Sequence, residues 1–300
     1  MYKLKLKPED FIVKEMLELP LSSGEYKYFL LKKRNYTTQK AVEKIARMFR
    51  VADKLVGFAG NKDRNAVTEQ YISIKTQRKQ GCEIDDISLE YMGEGAEPIS
   101  LGDNTGNRFE ITVRNIDQSP GNIGRFVNLF GDQRFSEKNV EIGKAIIKGD
   151  LAKACSLIDQ KPVQEHLEKK PKDYVGALKT LPLRTLRIYV HSVSSYIWNQ
   201  AARRTEQDKL PLVGFGTEPD PISKEIMREE GISQRDFIIR AIPDLSNEGD
   251  YRDVYCSIGN LVIGRLEGDE LGKKKKCKVS FDLGKGCYAT VAVDAMFSDV

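Results

Sequence analysis

The sequence predicts an α+β fold in which helices pack against a mixed, largely antiparallel sheet. Strand-like segments follow one another at hairpin-like spacing in the N-terminal part, helical periodicity dominates the middle, and strand-like alternation returns after Tyr251. A parallel sheet would require strands that alternate regularly with helices, and this sequence lacks that order. Its length of 300 residues allows one large domain or two ordinary ones.

The N-terminal part contains the clearest strand patterns. Alternating or short apolar runs predict strands at residues 11–15, 26–32, 55–59, 70–74 and 109–113. A helix is predicted at 38–50, because Ala41, Val42, Ile45 and Phe49 recur with helical spacing. The alternation of Phe109, Ile111 and Val113 with polar residues predicts one polar face on that strand.

The middle of the chain favours helices, and the end favours strands again. Helices are predicted at 122–130, 139–148, 191–204 and 223–230, and Gly149 and Gly231 are suited to end two of them. Strands are predicted at 261–266, 278–283 and 288–293.

Composition excludes several classes of protein. No apolar run approaches a membrane span, and the lysine-rich N-terminus lacks the apolar core of a signal peptide. The five cysteines form no Cys-x-x-Cys pair, so neither a disulfide framework nor a zinc site is expected. A reducing cytoplasm is therefore the predicted location.

Charge is distributed unevenly along the chain. The formal net charge is only +4, but Lys32-Lys33-Arg34 and the lysine block, residues 273–276, concentrate positive charge. Such clusters can bind phosphates, or they can be solvated loops, and the sequence leaves both readings open.

The segment from Gly60 to Gln70 contains the strongest candidate for chemistry. It follows a short apolar strand and places Asp63 between Lys62 and Arg64 in a charged loop. Two neighbouring cations favour the ionised carboxylate, which suits Asp63 as a nucleophile or base on an anionic substrate, although a merely solvated turn would look the same. No Gly-x-x-x-x-Gly-Lys-Ser/Thr loop is present, so the sequence argues against a nucleoside triphosphatase.

The whole segment Gly60-Asn61-Lys62-Asp63-Arg64-Asn65-Ala66-Val67-Thr68-Glu69-Gln70 resembles the signature of the TruD family of pseudouridine synthases. Further resemblances follow in the family's order: Pro-Glu-Asp-Phe at 8–11, Gly-Asn-x-Phe-x-Ile at 106–111, Phe-Gly-x-Gln-Arg-Phe at 130–135, and the segment 283–290 near the C-terminus. The resemblance thus reaches both ends of the chain.

The resemblance implies a fold and a division into domains. A catalytic domain of the pseudouridine synthase fold would comprise residues 1–124 and 256–300. An inserted α/β domain of the TRUD type would comprise residues 125–255.

The resemblance also implies an activity and roles for individual residues. The expected activity is isomerisation of uridine to pseudouridine in tRNA, at position 13, without a metal, nucleotide or other cofactor. Asp63 matches the catalytic carboxylate, and Lys5, Lys62 and Arg64 are possible supporting residues. Substrate-binding positions are matched by Phe11, Asn107, Phe109 and Tyr288, with Phe109 at the base-stacking position.

A second class of function is compatible with the same fold. A noncatalytic RNA-binding or tRNA-chaperone module would bind tRNA without changing it. The intact Lys62-Asp63-Arg64 motif favours the enzyme, because a protein without catalysis has no need of the acid. The sequence does not indicate an oligomeric state.

Overall fold

The computed structural model describes residues 2–136 and 138–298. Its strands, in chain order, are β1 (Phe11–Met16), β2 (Tyr26–Arg34), β3 (Val56–Phe58), β4 (Val67–Lys75), β5 (Cys82–Ile84), β6 (Ile87–Gly95), β7 (Gly106–Ile116), β8 (Arg125–Val127), β9 (Lys209–Leu212), β10 (Asp250–Asp253), β11 (Tyr255–Gly268) and β12 (Lys275–Gly284). Its α-helices are α1 (Thr38–Phe49), α2 (Asn139–Ile147), α3 (Leu151–Leu157), α4 (Lys161–Lys169), α5 (Tyr174–Lys179), α6 (Leu183–Ala202), α7 (Pro221–Glu229) and α8 (Ala289–Ser298).

The chain divides into two compact units. The first unit contains the residues up to Phe126 together with those from Ser257 onward, and the second is Val127–Cys256. The first unit is therefore built from two separate stretches of sequence.

A single large sheet organises the first unit. Its strand order is β5-β6-β2-β4-β1-β7-β12-β11-β8, and β3 pairs with β4 beside this path. The pairing of β1 with β4 is parallel, whereas β1–β7, β7–β12, β2–β4 and β2–β6 are antiparallel. The predicted fold class, α+β with a mixed and largely antiparallel sheet, is confirmed.

One face of this sheet is covered by α1. The helix begins at the N-cap Thr37, whose side chain accepts a hydrogen bond from the Lys40 N–H, and Arg50 ends it in the left-handed conformation. Its buried face packs into a cluster with strand residues of β2, β4 and β6: Phe29, Leu31, Ala41, Val42, Ile45, Ile72 and Leu89. Burial of this apolar surface fixes the start of α1, and with it Thr38, next to the segment that follows β3.

Two predicted elements were wrong. Residues 122–130 form the short strand β8 and irregular backbone, because the Gly124 carbonyl accepts a hydrogen bond from the Ile258 N–H instead of one within a helix. Residues 288–293 belong mainly to α8, in which Ala289, Ala292, Val293 and Met296 are buried at helical spacing. A six-residue apolar window cannot distinguish a strand from the start of a buried helix.

The polar face predicted for β7 is also partly wrong, because Thr112 and Arg114 on that strand are buried. The Arg114 guanidinium donates to both carboxylate oxygens of Asp10, at 2.9 and 2.8 Å, and to Asp269 at 2.5 Å. It also donates to Glu270 at 3.0 Å. These hydrogen bonds, from Asp10 first, raise the pKa of Arg114 further above its ordinary range. The network joins the residue before β1 to the β11–β12 loop.

The cysteine prediction was wrong in part. Cys256 and Cys287 are disulfide-bonded, whereas Cys82, Cys155 and Cys277 are free thiols. Sequence spacing gave no indication of this, since the two bonded cysteines are distant along the chain.

The second unit is mainly helical and contains one antiparallel ladder between β9 and β10. Its long helix α6 packs against α2, where a Cβ on Gly143 would lie 2.0 Å from the Tyr189 carbonyl oxygen. Trp198 of α6 is fully buried and meets the Phe130 ring edge-on at 5.7 Å. These contacts fix the segment before α2 against α6.

The described part of the chain has neither a membrane-spanning helix nor a cluster of metal-ligating side chains. Among residues 2–136 and 138–298, no helix has both the length and the apolar character needed to cross a membrane. The same residues contain no group of three His, Cys, Asp or Glu side chains arranged to hold a metal ion.

Candidate active site

Asp63 lies in the loop that joins β3 to β4. Buried Ala59 and Ala66 fix the two ends of the loop, while the Asp63 side chain between them is 37 % exposed. Its Oδ2 accepts a hydrogen bond of 2.5 Å from Lys5 Nζ. The carboxylate is therefore accessible to a ligand and has a cation as its charge partner.

Lys5 reaches this position through an unusual backbone conformation. Its φ is +57°, in the left-handed region that non-glycine residues rarely occupy. The same ammonium lies 4.0 Å from the centroid of the Phe11 ring. Lys5 thus joins Asp63 to an aromatic side chain through a salt bridge and a cation–π contact.

The two cations next to Asp63 in sequence do not pair with it. Lys62 Nζ lies 2.5 Å from Glu15 Oε1, and both of these side chains are almost completely buried. Arg64 is exposed. The sequence predicted Lys62 and Arg64 as the cations next to the Asp63 carboxylate, but its charge partner in the structure is Lys5.

Buried polar side chains hold the backbone of the loop. The Lys62 N–H donates to Thr38 Oγ1 at 2.9 Å, and Thr38 Oγ1 donates to Gln70 Oε1 at 2.9 Å. Gln70 Nε2 in turn donates to the Gly60 carbonyl at 3.1 Å. Fully satisfied buried networks of this kind restrict a loop to one conformation.

Lys33 is a further anchor, and it is only 2 % exposed. Its ammonium donates to the Tyr36 carbonyl at 2.6 Å and to the backbone carbonyl of Asp63 at 3.1 Å. Burial lowers the pKa of Lys33 to about 8, although the nearby Asp63 charge raises it and the Lys62 charge lowers it. Lys33 and Lys5 therefore bind different parts of Asp63: Lys33 binds its backbone carbonyl, and Lys5 binds its side chain.

Three aromatic side chains lie together on one face of the sheet, and Lys5 links one of them, Phe11, to Asp63. Phe109 meets Phe11 edge-on at 6.1 Å and lies 5.6 Å from Phe281. Register explains the arrangement, since Phe109 pairs with Val13 on one side and with Phe281 on the other. Phe281 was not identified from the sequence, although its odd-numbered position in β12 is consistent with an inward-facing side chain.

Asn107 stands two residues before Phe109 on the same face of β7. Its Oδ1 is buried and has no hydrogen-bond partner among the described residues. Gly106 permits the close strand approach here, because a Cβ at that position would lie 2.2 Å from the Leu283 carbonyl oxygen. An unpaired buried amide oxygen is costly, and a ligand N–H group would satisfy it.

Tyr288 is half-buried and lies immediately before α8, where its carbonyl accepts a hydrogen bond from the Ala292 N–H. Tyr288 therefore stands at the start of helix α8 and not in the strand that the sequence predicted for residues 288–293. Its role in substrate binding stays a prediction.

Comparison with known proteins bears on the family of the chain. The family model described as tRNA pseudouridine synthase D (TruD) matches residues 2–166, 156–215 and 209–294. A relative in Nanoarchaeum equitans, named probable tRNA pseudouridine synthase D, is 27 % identical over 98 % of this chain and 98 % of its own length. A relative of the same name in Thermococcus onnurineus is 35 % identical over 70 % of this chain and 63 % of its own length.

A solved structure extends the similarity to three dimensions. The crystal structure described as a tRNA pseudouridine synthase D from Methanosarcina mazei covers 99 % of this chain and 93 % of its own, with 26 % identity and a TM-score of 0.76. Together with the match of the family model along nearly the whole chain, this shows that the chain belongs to the TruD family of tRNA pseudouridine synthases.

Proposed function

We propose that this enzyme isomerises uridine to pseudouridine in tRNA, at position 13, with Asp63 as the catalytic carboxylate. The observation that supports this role best is the setting of Asp63. Its side chain is accessible, its charge partner is Lys5 at 2.5 Å, and its backbone carbonyl is held by buried Lys33.

The reaction requires a fixed carboxylate but no redox or group-carrier chemistry. The N1–C1′ bond of the uridine breaks, the uracil turns, and a C5–C1′ bond forms, so that no atom is gained or lost. Asp63 acts either as a nucleophile at C1′ or as a base on the ribose. Both routes need a carboxylate whose position does not drift, and the hydrogen bond from Lys5 restricts the position of Asp63.

The target base must leave its stack to reach Asp63. Aromatic contact replaces the lost stacking and is worth on the order of 1–3 kcal/mol per base. Phe109 supplies this contact, while Phe11 and Tyr288 line the same pocket. Asn107 Oδ1, which has no partner among the described residues, accepts a hydrogen bond from N3–H of the uracil.

The first unit is the catalytic domain under this proposal, because Asp63, Lys5, Phe109 and Asn107 all belong to it. The second unit is the domain inserted into it. The enzyme works in the cytoplasm and needs neither a metal ion nor a nucleotide cofactor.

The proposal is tested by release of tritium from tRNA that contains 5-tritiated uridine. Asp63→Asn keeps the size of the side chain but removes its charge, so it should abolish release while tRNA affinity is unchanged or improved. Asp63→Glu displaces the oxygens by roughly 1 Å and should lower the rate on the order of a hundredfold. Asp53→Asn, at an exposed position of the same unit, is the matched control and should be fully active.

Release at the wild-type rate by Asp63→Asn would contradict the catalytic role. Binding of tRNA without any tritium release by the wild-type protein would instead favour a noncatalytic RNA-binding module. The two outcomes are distinguishable because binding and release are measured separately.

A further inference from the structure

A group of basic side chains in the second unit has no role in the chemistry described above. We define the α6 basic cluster as Arg134, Arg187 and His191. Arg187 and His191 are exposed on α6, and Arg134 belongs to the 3-10 turn Asp132–Arg134, against which α6 packs. All three residues lie within one compact unit.

Helix geometry places the two α6 members of the cluster on one stripe of the helix. Arg187 and His191 are four residues apart, so their Cβ atoms lie about 6 Å from each other on the same side of the helix. Arg184 and Ile188 share this exposed stripe, and Ile188 is 42 % exposed. The surface thus combines cations with an apolar side chain.

Arg134 is held in position by aromatic packing. Its guanidinium carbon lies 5.5 Å from the centroid of the Phe130 ring. Phe130 is fixed through its backbone, since its N–H donates to Asn199 Oδ1 at 2.9 Å and its carbonyl accepts from Asn199 Nδ2 at 3.0 Å. The Phe-Gly-x-Gln-Arg-Phe motif therefore presents its arginine from a rigid base on α6.

The positive charges of the two arginines in the cluster are not compensated. Within residues 2–136 and 138–298, none of the three side chains forms an ion pair, and Arg187 Nε donates only to the Asp244 carbonyl, at 3.3 Å. Other cations of the same unit do have acidic partners, such as Lys144 with Glu230 and Lys148 with Asp236.

The surroundings of His191 lower its pKa. Although it is solvent-accessible, the surrounding protein partly desolvates its ring and lowers the pKa of His191. The charges of Arg134 and Arg187 lower this pKa further. Positive charges that repel one another at a fixed site are relieved by an anion.

We propose that the α6 basic cluster is a binding site for backbone phosphates of the tRNA substrate. Guanidinium groups bind phosphate oxygens in a bidentate manner, and Arg134 next to the Arg187 and His191 stripe matches the charged backbone of an RNA strand. The exposed Ile188 lies against the sugar face of the same strand. This inference rests on the proposed function, because it assumes that tRNA is the substrate.

The test measures the affinity of the full-length enzyme for an unmodified tRNA transcript at several salt concentrations. Each lost phosphate contact should reduce the slope of log K against log salt by about 0.7–0.9. The variant Arg134→Gln/Arg187→Gln should therefore lose about 1.5 of the slope and bind at least tenfold more weakly near 0.15 M salt. Its single-turnover rate at saturating enzyme should match that of the wild type.

The matched control is Arg228→Gln/Arg240→Gln, which removes two exposed arginines from the same unit. It should keep the wild-type slope. An unchanged slope for the cluster variant, with a wild type that binds and converts tRNA, would overturn this site and leave the proposed function intact. Equal losses in the variant and its control would assign the effect to net charge and also overturn the site. Failure of the wild type to bind tRNA would overturn both proposals.

Discussion

The Lys5 ammonium lies 2.5 Å from Asp63 Oδ2 and 4.0 Å from the centre of the Phe11 ring. One side chain near the N-terminus thus contacts both the candidate catalytic group and the aromatic wall beside it. Its left-handed backbone costs conformational energy, and this cost is offset only if the position of the side chain matters.

Replacement of Lys5 should separate activity from stability. Lys5→Gly removes the ammonium but relaxes the backbone at φ +57°, so the melting temperature should stay the same or rise. Because Asp63 loses its positioning partner, kcat should fall about ten- to a hundredfold. Lys5→Arg keeps a cation and should retain part of the rate.

Tritium release and thermal unfolding of both Lys5 variants check this prediction. The salt bridge is partly exposed and contributes no more than about 1 kcal/mol to folding. A Lys5→Gly enzyme that unfolds at a much lower temperature, or that turns over normally, would contradict a positioning role.

Lys33 should make stability depend on pH in the alkaline range. Its pKa in the folded protein is about 8, below the ordinary 10.5, because burial disfavours the charged form. Between pH 8 and 10.5 the unfolded chain therefore holds more protons, and stability rises with pH. The stability that Lys33 contributes in this way is fully present above pH 10.5 and is lost as the pH falls through 8.

Urea unfolding of the wild type and Lys33→Met at pH 7 and pH 10 measures this effect. Between pH 7 and pH 10 the unfolding free energy of the wild type should rise by about 2–3 kcal/mol relative to that of Lys33→Met. Lys40→Met, at an exposed lysine of α1, is the control and should show no such shift. A pH-independent difference for Lys33→Met would mean that Lys33 titrates normally.

Loss of Arg114 should destabilise the first unit strongly. Arg114→Met leaves the buried carboxylates of Asp10 and Asp269 without their cation, which costs about 3–5 kcal/mol. Lys14→Met breaks the exposed pair with Glu110 and should cost less than about 1 kcal/mol. Chemical denaturation of both variants compares the two costs, and similar values would show that the Arg114 network is not tightly packed.

The lysine block should act on RNA through only half of its residues. Lys274 pairs with Asp117 and Lys276 with Glu270, whereas Lys273 and Lys275 are exposed and have no such partner among the described residues. Lys273→Ser/Lys275→Ser should therefore reduce the salt slope of tRNA binding more than Lys274→Ser/Lys276→Ser does. Unchanged slopes in both double variants would identify the block as a solvated loop.

Local patterns predicted α1 and strands such as β1, β2 and β4, because each has a clear period, but they could not reveal which side chains meet. Lys33 was assigned to a basic cluster, although it shares the inward parity of Phe29 and Leu31 on β2. Lysine side chains are rarely buried. The residue type therefore indicated an exposed side chain, even though the alternation along β2 indicated an inward one.

The site itself required information from distant parts of the chain. Asp63 stood out through its motif, yet its partner Lys5 is 58 residues away and Phe281 is still farther. The family resemblance implied that the last strands join the N-terminal part in one domain, but the pairing of β12 with β7 was not predicted, because hydrophobic periodicity contains no information about which strands pair.

The order of strands in the sheet has a consequence for synthesis on the ribosome. β7 emerges before the 130 residues of Val127–Cys256, and its partner β12 emerges only after them. At about 5–20 residues per second the edge of β7 stays unpaired for roughly 10–30 s, a time in which exposed strand edges are prone to wrong pairing. Because Phe281 arrives with β12, its contact with Phe109 forms only after the whole of Val127–Cys256 has been synthesised.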